Sequence, residues 1–143
     1  MSPIEVKAGV VREWLVRAAG DLDAAKTLAN VGNQDNALYH CQQCAEKSWK
    51  AFLTWSDQPF RRTHDLEELG TAGAKLDDSL IVLAEQAEAL SDFAWRLRYP
   101  GDPYVIAEGE VAAMILLAAE VLKQIQVRLP AEARLEPTLG HHQ

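Results

Sequence analysis

The sequence predicts an all-α protein, an up-and-down bundle of about five helices, roughly four long and one short. Three observations predict it. Apolar residues recur at helical spacing along most of the chain, and no stretch alternates with a strand's period between hairpin turns. Short segments rich in Gly, Pro, Asn and Asp separate the periodic stretches.

The first stripe is Val11, Trp14, Leu15, Ala18, Leu22, Ala25 and Leu28, with Arg12, Glu13, Arg17, Asp21, Asp23 and Lys26 mostly off it. Gly32 and Asn33 end that helix. Asp35 or Asn36 is expected to cap the second, which carries Leu38, Cys41, Ala45, Trp49 and Phe52 to about Trp55. Ser56 to Thr63 reads as a loop, and Thr63 as the cap of a short helix weakened by Gly70 and Gly73. Asp77 is expected to cap a long fourth helix bearing Leu80, Leu83, Ala84, Ala87, Leu90, Ala94 and Leu97. Pro100 stops it. Tyr99 to Tyr104 is a tight loop. A last helix runs from about Ala107 to Leu129, where Pro130 ends it. Its stretch Val111 to Leu122 is apolar almost all round, as suits a helix central to the bundle or shared with a second subunit. One bundle domain over 1–130 and a flexible tail over 131–143 are expected.

The formal net charge of −7 makes the surface as a whole repel nucleic acid, so any RNA or nucleotide contact needs a local basic patch, and DNA is not an expected ligand. The longest apolar run, Val111 to Ala119, is far below the roughly 18 residues of a membrane span. Charged residues throughout the first twenty argue against a signal peptide, and two cysteines suit a reducing compartment. A soluble cytoplasmic protein without cofactor is expected.

Cys41 and Cys44 form C-x-x-C, but no second pair follows for zinc and no strand-turn-helix context suits a redox motif; small inert core residues are the expectation. No histidine has Glu three residues before it, which removes a di-iron bundle. Glu46 and Lys50 are spaced i,i+4 in the favourable order. From His40 to His64 four basic residues, Lys47, Lys50, Arg61 and Arg62, stand against two acidic ones, Glu46 and Asp57. Either this is a solvated helix face or it is the local patch that an anionic ligand needs. Arg96 and Arg98 likewise admit two readings, cations at a helix C-terminus or, beside Trp95 and Tyr99, a phosphate- or base-contacting pair. His64-Asp65 reads as a helix start rather than an acid–base pair, because neighbouring side chains diverge. His141 and His142 are read as a tail remnant.

These residues also carry a resemblance. Gln42 to Leu53 (QQCAEKSWKAFL) resembles the HEPN helix with its Q-x-A-E-K-x-x-K-A run. Thr63-His64-Asp65-Leu66 is similar to that family's T-H-D-L step, and Arg98-Tyr99-Pro100 to its R-Y-P step. The three occur in order over about Val11 to Leu129. The resemblance implies a homodimeric helical bundle that pairs with a minimal nucleotidyltransferase, often as the toxin half of a toxin–antitoxin pair. Gln43, Glu46, His64, Asp65, Tyr99 and Pro100 are then motif residues of structural weight. Lys47, Lys50, Arg61, Arg62, Arg96, Arg98 and Tyr104 are the candidates to meet nucleotide, RNA or partner.

Some members of the family are metal-independent ribonucleases with R-x4–6-H, in which His moves the 2′-hydroxyl proton and Arg stabilises the phosphate charge. Here Asp102 stands where that histidine falls, with five residues between it and Arg96, and none follows Arg98 within six. Arg96, Arg98 and Asp102 are the remaining catalytic candidates, Asp102 being a poorer base at neutral pH than an imidazole. Tyr104 matches the tyrosine that partner enzymes adenylylate in some members. A binding module is the leading reading; a ribonuclease with a substitute base, or a purely structural bundle, is the alternative.

Overall fold

The computed structural model describes residues 1–136, which form five α-helices: α1 Pro3–Asn30, α2 Gln34–Trp55, α3 Leu66–Leu76, α4 Ile81–Ala87 and α5 Glu110–Gln126. No strand occurs among the described residues, and the chain folds as the predicted all-α bundle.

α1 begins about two turns before its apolar stripe. Ser2 Oγ accepts from the Glu5 amide at 3.1 Å and Pro3 occupies the first turn, so local capping extends the helix beyond what core burial requires. Gly32 ends it with φ +79°: the Asn33 amide reaches Leu28 O at 2.8 Å and the Gly32 amide reaches Ala29 O at 3.1 Å. This three-residue reversal folds α2 back along α1. The N-cap of α2 is Asn33 rather than the expected Asp35 or Asn36.

α2 is the central helix, with 14 of its 22 residues buried, and it packs against α1, α3, α5 and the segment Glu88–Ala94. The last helix, expected to be central or shared, is not the centre. In α5 Leu116 is 72% exposed and Ala112 and Ala113 are open to solvent, while Val111, Ala118, Val121, Leu122 and Ile125 face the core. The apolar stretch therefore leaves one face uncovered.

Two further expectations are corrected. Asp65, not Thr63, caps α3, accepting from the Glu67 and Glu68 amides, while Thr63 Oγ accepts from the Asp65 amide. The two glycines thought to weaken α3 are what let it approach its neighbours. A Cβ on Gly73 falls 2.8 Å from Trp49 Cζ3, and one on Gly70 falls 3.1 Å from Ala84 Cβ.

The long fourth helix does not form either. Asp77 caps a 3₁₀ turn, Asp78–Leu80, then come the short α4 and a second 3₁₀ segment, Glu88–Ala94. The buried side chains explain why. Ala87, Leu90 and Phe93 recur every third residue, the period at which 3₁₀ side chains eclipse, and Phe93, not Ala94, is the core residue.

The tail expected from Ala131 begins with an ordered turn, Ala131–Ala133. Ala133 is buried, Arg12 of α1 donates to Glu132 O, and the Leu135 amide donates to Gln126 Oε1 at 3.0 Å. Residues 137–143, with His141 and His142, lie outside the described residues. No helix among the described residues is long and apolar enough to cross a membrane.

Candidate functional site

Two of the sequence motifs meet at one carboxylate. Glu46, 3% exposed on α2, takes Lys50 Nζ at 2.9 Å, Gln42 Nε2 at 3.2 Å and His64 Nδ1 at 2.7 Å. Gln42 also donates to His64 O at 3.0 Å, and Gln43 donates to Gln42 Oε1 at 2.7 Å. Burial raises the Glu46 pKa. The hydrogen bonds from Lys50, His64 and Gln42 and the charge of Lys50 outweigh it, and the carboxyl ends below its ordinary range. Lys50 is itself buried, with its ammonium 5.5 Å from the Trp14 ring and 5.9 Å from that of Phe60. This network ties α2 to the loop before α3.

The segment Trp95 to Tyr104 meets α2 at its first turn, through Arg98. Leu97 has φ +65°, a region a branched side chain rarely adopts, and its amide is held by Asp102 Oδ2 at 2.8 Å. The Tyr104 amide takes Asp102 Oδ1 at 2.9 Å, and Arg96 lies 3.4 Å from the same oxygen. The Leu97 and Tyr104 amides, with Arg96, hold the Asp102 carboxyl below its usual range. Both its oxygens are thus committed to shaping the loop.

Arg96 stacks between Trp95 and Tyr104, 5.1 Å from each ring. Arg98 reaches the first turn of α2, donating to Asn36 Oδ1 and Asp35 O at 3.0 Å each, and lies 4.7 Å from the Tyr39 ring. The Nε of both arginines is buried and has no partner among the described residues. Tyr104 packs edge-on against Phe93, and its hydroxyl donates to Glu110, whose hydrogen bond and charge, with burial, push the tyrosine pKa up. Tyr99 and Pro100 are exposed.

The structure brings Arg96, Arg98, Asp102 and Tyr104 together and sets the other candidates apart. Arg98 anchors at Asn36, so Lys50 is about 20 Å further along α2. Lys47 pairs with Asp21 of α1 at 2.5 Å. Arg61, exposed, pairs with the half-buried Glu68 at 2.8 Å. Arg62 is exposed and forms no ion pair among the described residues. Cys41 and Cys44 are free and buried, burial pushing each thiol up to about 12. No cluster of metal-ligating side chains occurs among the described residues.

Three features were not legible as motifs. His40 Nδ1 lies 2.8 Å from Asp21 Oδ1, Glu110 receives the Tyr104 hydroxyl, and Asn36 receives Arg98. Glu110, six residues beyond Tyr104, sits in the first turn of α5, where a carboxylate is favoured. The other two pairs join residues distant in sequence, and no spacing rule finds them.

The comparisons agree with this frame. The HEPN domain family matches residues 11–128. Over 97 residues the chain is 33% identical to a Methanocaldococcus jannaschii protein named "Putative toxin MJ1304", a match spanning 64% of this chain and 63% of that protein. The crystal structure of ST0689, an archaeal HEPN homologue, superposes with a TM-score of 0.66 at 25% identity, covering 82% of this chain and 96% of that one. With the three motifs in order on this bundle and the family matched across most of its length, the chain belongs to the HEPN domain family.

Proposed function

We propose that this protein is a dimeric HEPN module of the cytoplasm, the toxin-like half of a toxin–antitoxin pair, and that it binds RNA through the Trp95–Tyr104 loop. One observation carries the reading. Arg98 is fixed in place by Asn36, the Asp35 carbonyl and the Tyr39 ring, yet it forms no ion pair among the described residues. Lys47, Lys50, Arg61 and Arg96 each face a carboxylate. A rigid guanidinium with uncompensated charge beside aromatic rings is what phosphate and base recognition use. The uncovered face of α5, centred on Leu116, supports pairing with a second copy.

Fluorescence anisotropy with a single-stranded RNA tests this. Arg98→Ala is expected to weaken binding about tenfold, the loss of one charge-assisted contact worth about 1.5 kcal/mol, with the melting temperature little changed. Equal affinity for both proteins places the contact elsewhere.

A partner nucleotidyltransferase is a second reading, favoured by Tyr104. Its hydroxyl already donates to the Glu110 carboxylate, the arrangement of a nucleophile beside its base. Tyr104 gaining the mass of a nucleotidyl group after co-expression with such an enzyme, and Tyr104→Phe gaining none, is the expected result.

A further inference from the structure

We infer that His40 is a proton-transfer residue for cleavage of the bound RNA, oriented by Asp21, and so supplies from α2 the imidazole missing from the R-x4–6-H position. The inference rests on the reading that Arg98 contacts RNA phosphate.

Asp21 is buried on α1, and its Oδ1 lies 2.8 Å from His40 Nδ1. A carboxylate on Nδ1 selects the tautomer with its proton there and leaves Nε2 with a free lone pair. Nε2 has no partner among the described residues and is not among their buried unpartnered atoms, and the His40 side chain is 30% exposed. The second oxygen of Asp21 takes Lys47 at 2.5 Å, which fixes the carboxylate against rotation.

The placement relative to the arginine is set by α2. Arg98 bonds Asn36, and Asn36 and His40 are four residues apart, hence neighbours on one helix face about one turn, roughly 5–6 Å, from each other. Tyr39 joins them, its ring 5.4 Å from that of His40 and 4.7 Å from the Arg98 guanidinium. A base and a phosphate-binding cation that both flank the Tyr39 ring, at most about 10 Å apart, can reach a hydroxyl and its adjoining phosphodiester, which is the chemistry RNA carries in its own 2′-OH.

In the step so assigned, His40 Nε2 accepts the 2′-hydroxyl proton as O2′ bonds to phosphorus. The bond from phosphorus to the 5′-oxygen breaks, and that oxygen takes a proton from water. The products are a 2′,3′-cyclic phosphate and a 5′-hydroxyl, and His40 returns its proton to solvent. Arg98 faces the charge that grows on the phosphate oxygens. Asp21 is a positioning residue.

The test is cleavage of a labelled single-stranded RNA by the full chain in EDTA, with binding of its 2′-O-methyl counterpart, which cannot be cleaved, measured alongside. Wild type is expected to yield cyclic-phosphate ends. His40→Ala is expected to lose at least about 100-fold in rate, with binding and melting temperature retained, and to regain activity with added imidazole. His40→Gln serves as the variant that keeps a polar partner for Asp21 should the alanine protein not fold. Asp21→Asn is expected to slow cleavage at unchanged affinity. Wild type that binds but does not cleave, or His40 variants that cleave at the wild-type rate, overturns this inference and leaves RNA binding standing. Failure of wild type to bind overturns both.

Discussion

Glu46 lies midway along α2 and Arg98 meets that helix at its first turn, and the sequence treats them alike, as charged members of a motif. Their surroundings differ. Glu46 is enclosed and answered by a lysine, a histidine and a glutamine. Arg98 is held by a neutral amide, a carbonyl and an aromatic ring, so its position is fixed while its charge stays available. The first arrangement spends its charges on joining α2 to the loop before α3. The second keeps a charge for something else. A charged motif residue marks a binding site only when its charge has no internal partner.

The largest effect that tests this contrast is at the enclosed end. Glu46→Ala leaves Lys50 buried without its counter-charge and unseats His64, and breaking a buried pair in this way costs about 3–5 kcal/mol. A fall of about 10 °C in melting temperature is expected for a domain of this size, against little change for Arg98→Ala. Similar falls for the two variants break the comparison. The pH dependence follows from the same carboxylate. Its folded pKa lies below the ordinary 4.5, so the ionised form is favoured by folding. That contribution is complete above the unfolded value and is lost as pH falls through the folded one. Urea titrations over this acid range are expected to show stability falling less steeply in Glu46→Gln than in wild type.

A smaller effect lies where α3 meets α2. Gly73→Ala puts a methyl 2.8 Å from Trp49 Cζ3, an overpacking cost of about 1–3 kcal/mol, set against about 1 kcal/mol gained in helix propensity. A net loss of roughly 1 kcal/mol by denaturant unfolding is expected, because the Trp49 ring is fully buried and has little room to yield. A stabilised variant means that the ring shifts, and that the glycine is not what sets the approach.

How much of this was legible follows from range. The stripes of α1 and α2, the Gly32 stop and the Pro100 loop are local patterns, and the bundle formed on them. The fourth helix departs from its sequence pattern, because Leu80, Leu83, Ala87 and Leu90 fit a helical stripe nearly as well as the three-residue spacing that Ala87, Leu90 and Phe93 adopt. At the candidate site the residue types were visible, but pairing was not. Asp21 is 26 residues from Lys47 and 19 from His40, and only the α1–α2 hairpin brings them together. Arg98 is 62 residues from Asn36. A local count of basic residues therefore saw the cations without the carboxylates that neutralise most of them.

The smallest effect is the sharpest test of that last point. Arg61 was a candidate on the same footing as Arg98, and its Nε sits 2.8 and 3.0 Å from the two oxygens of Glu68. Arg61 is well exposed and Glu68 partly so, and such a pair contributes little to stability; Arg61→Ala is expected to change unfolding free energy by less than about 0.5 kcal/mol. Its effect on RNA affinity is the informative number. If charge availability governs binding, Arg61→Ala changes affinity less than twofold, because Glu68 already offsets that charge, while Arg98→Ala changes it about tenfold. Raising the salt concentration weakens both proteins' binding, less steeply for Arg98→Ala because it has one phosphate contact fewer, so the ratio between them narrows. Equal losses from Arg61→Ala and Arg98→Ala mean that RNA responds to the number of surface cations rather than to their pairing. The distinction between Glu46 and Arg98 then concerns stability alone.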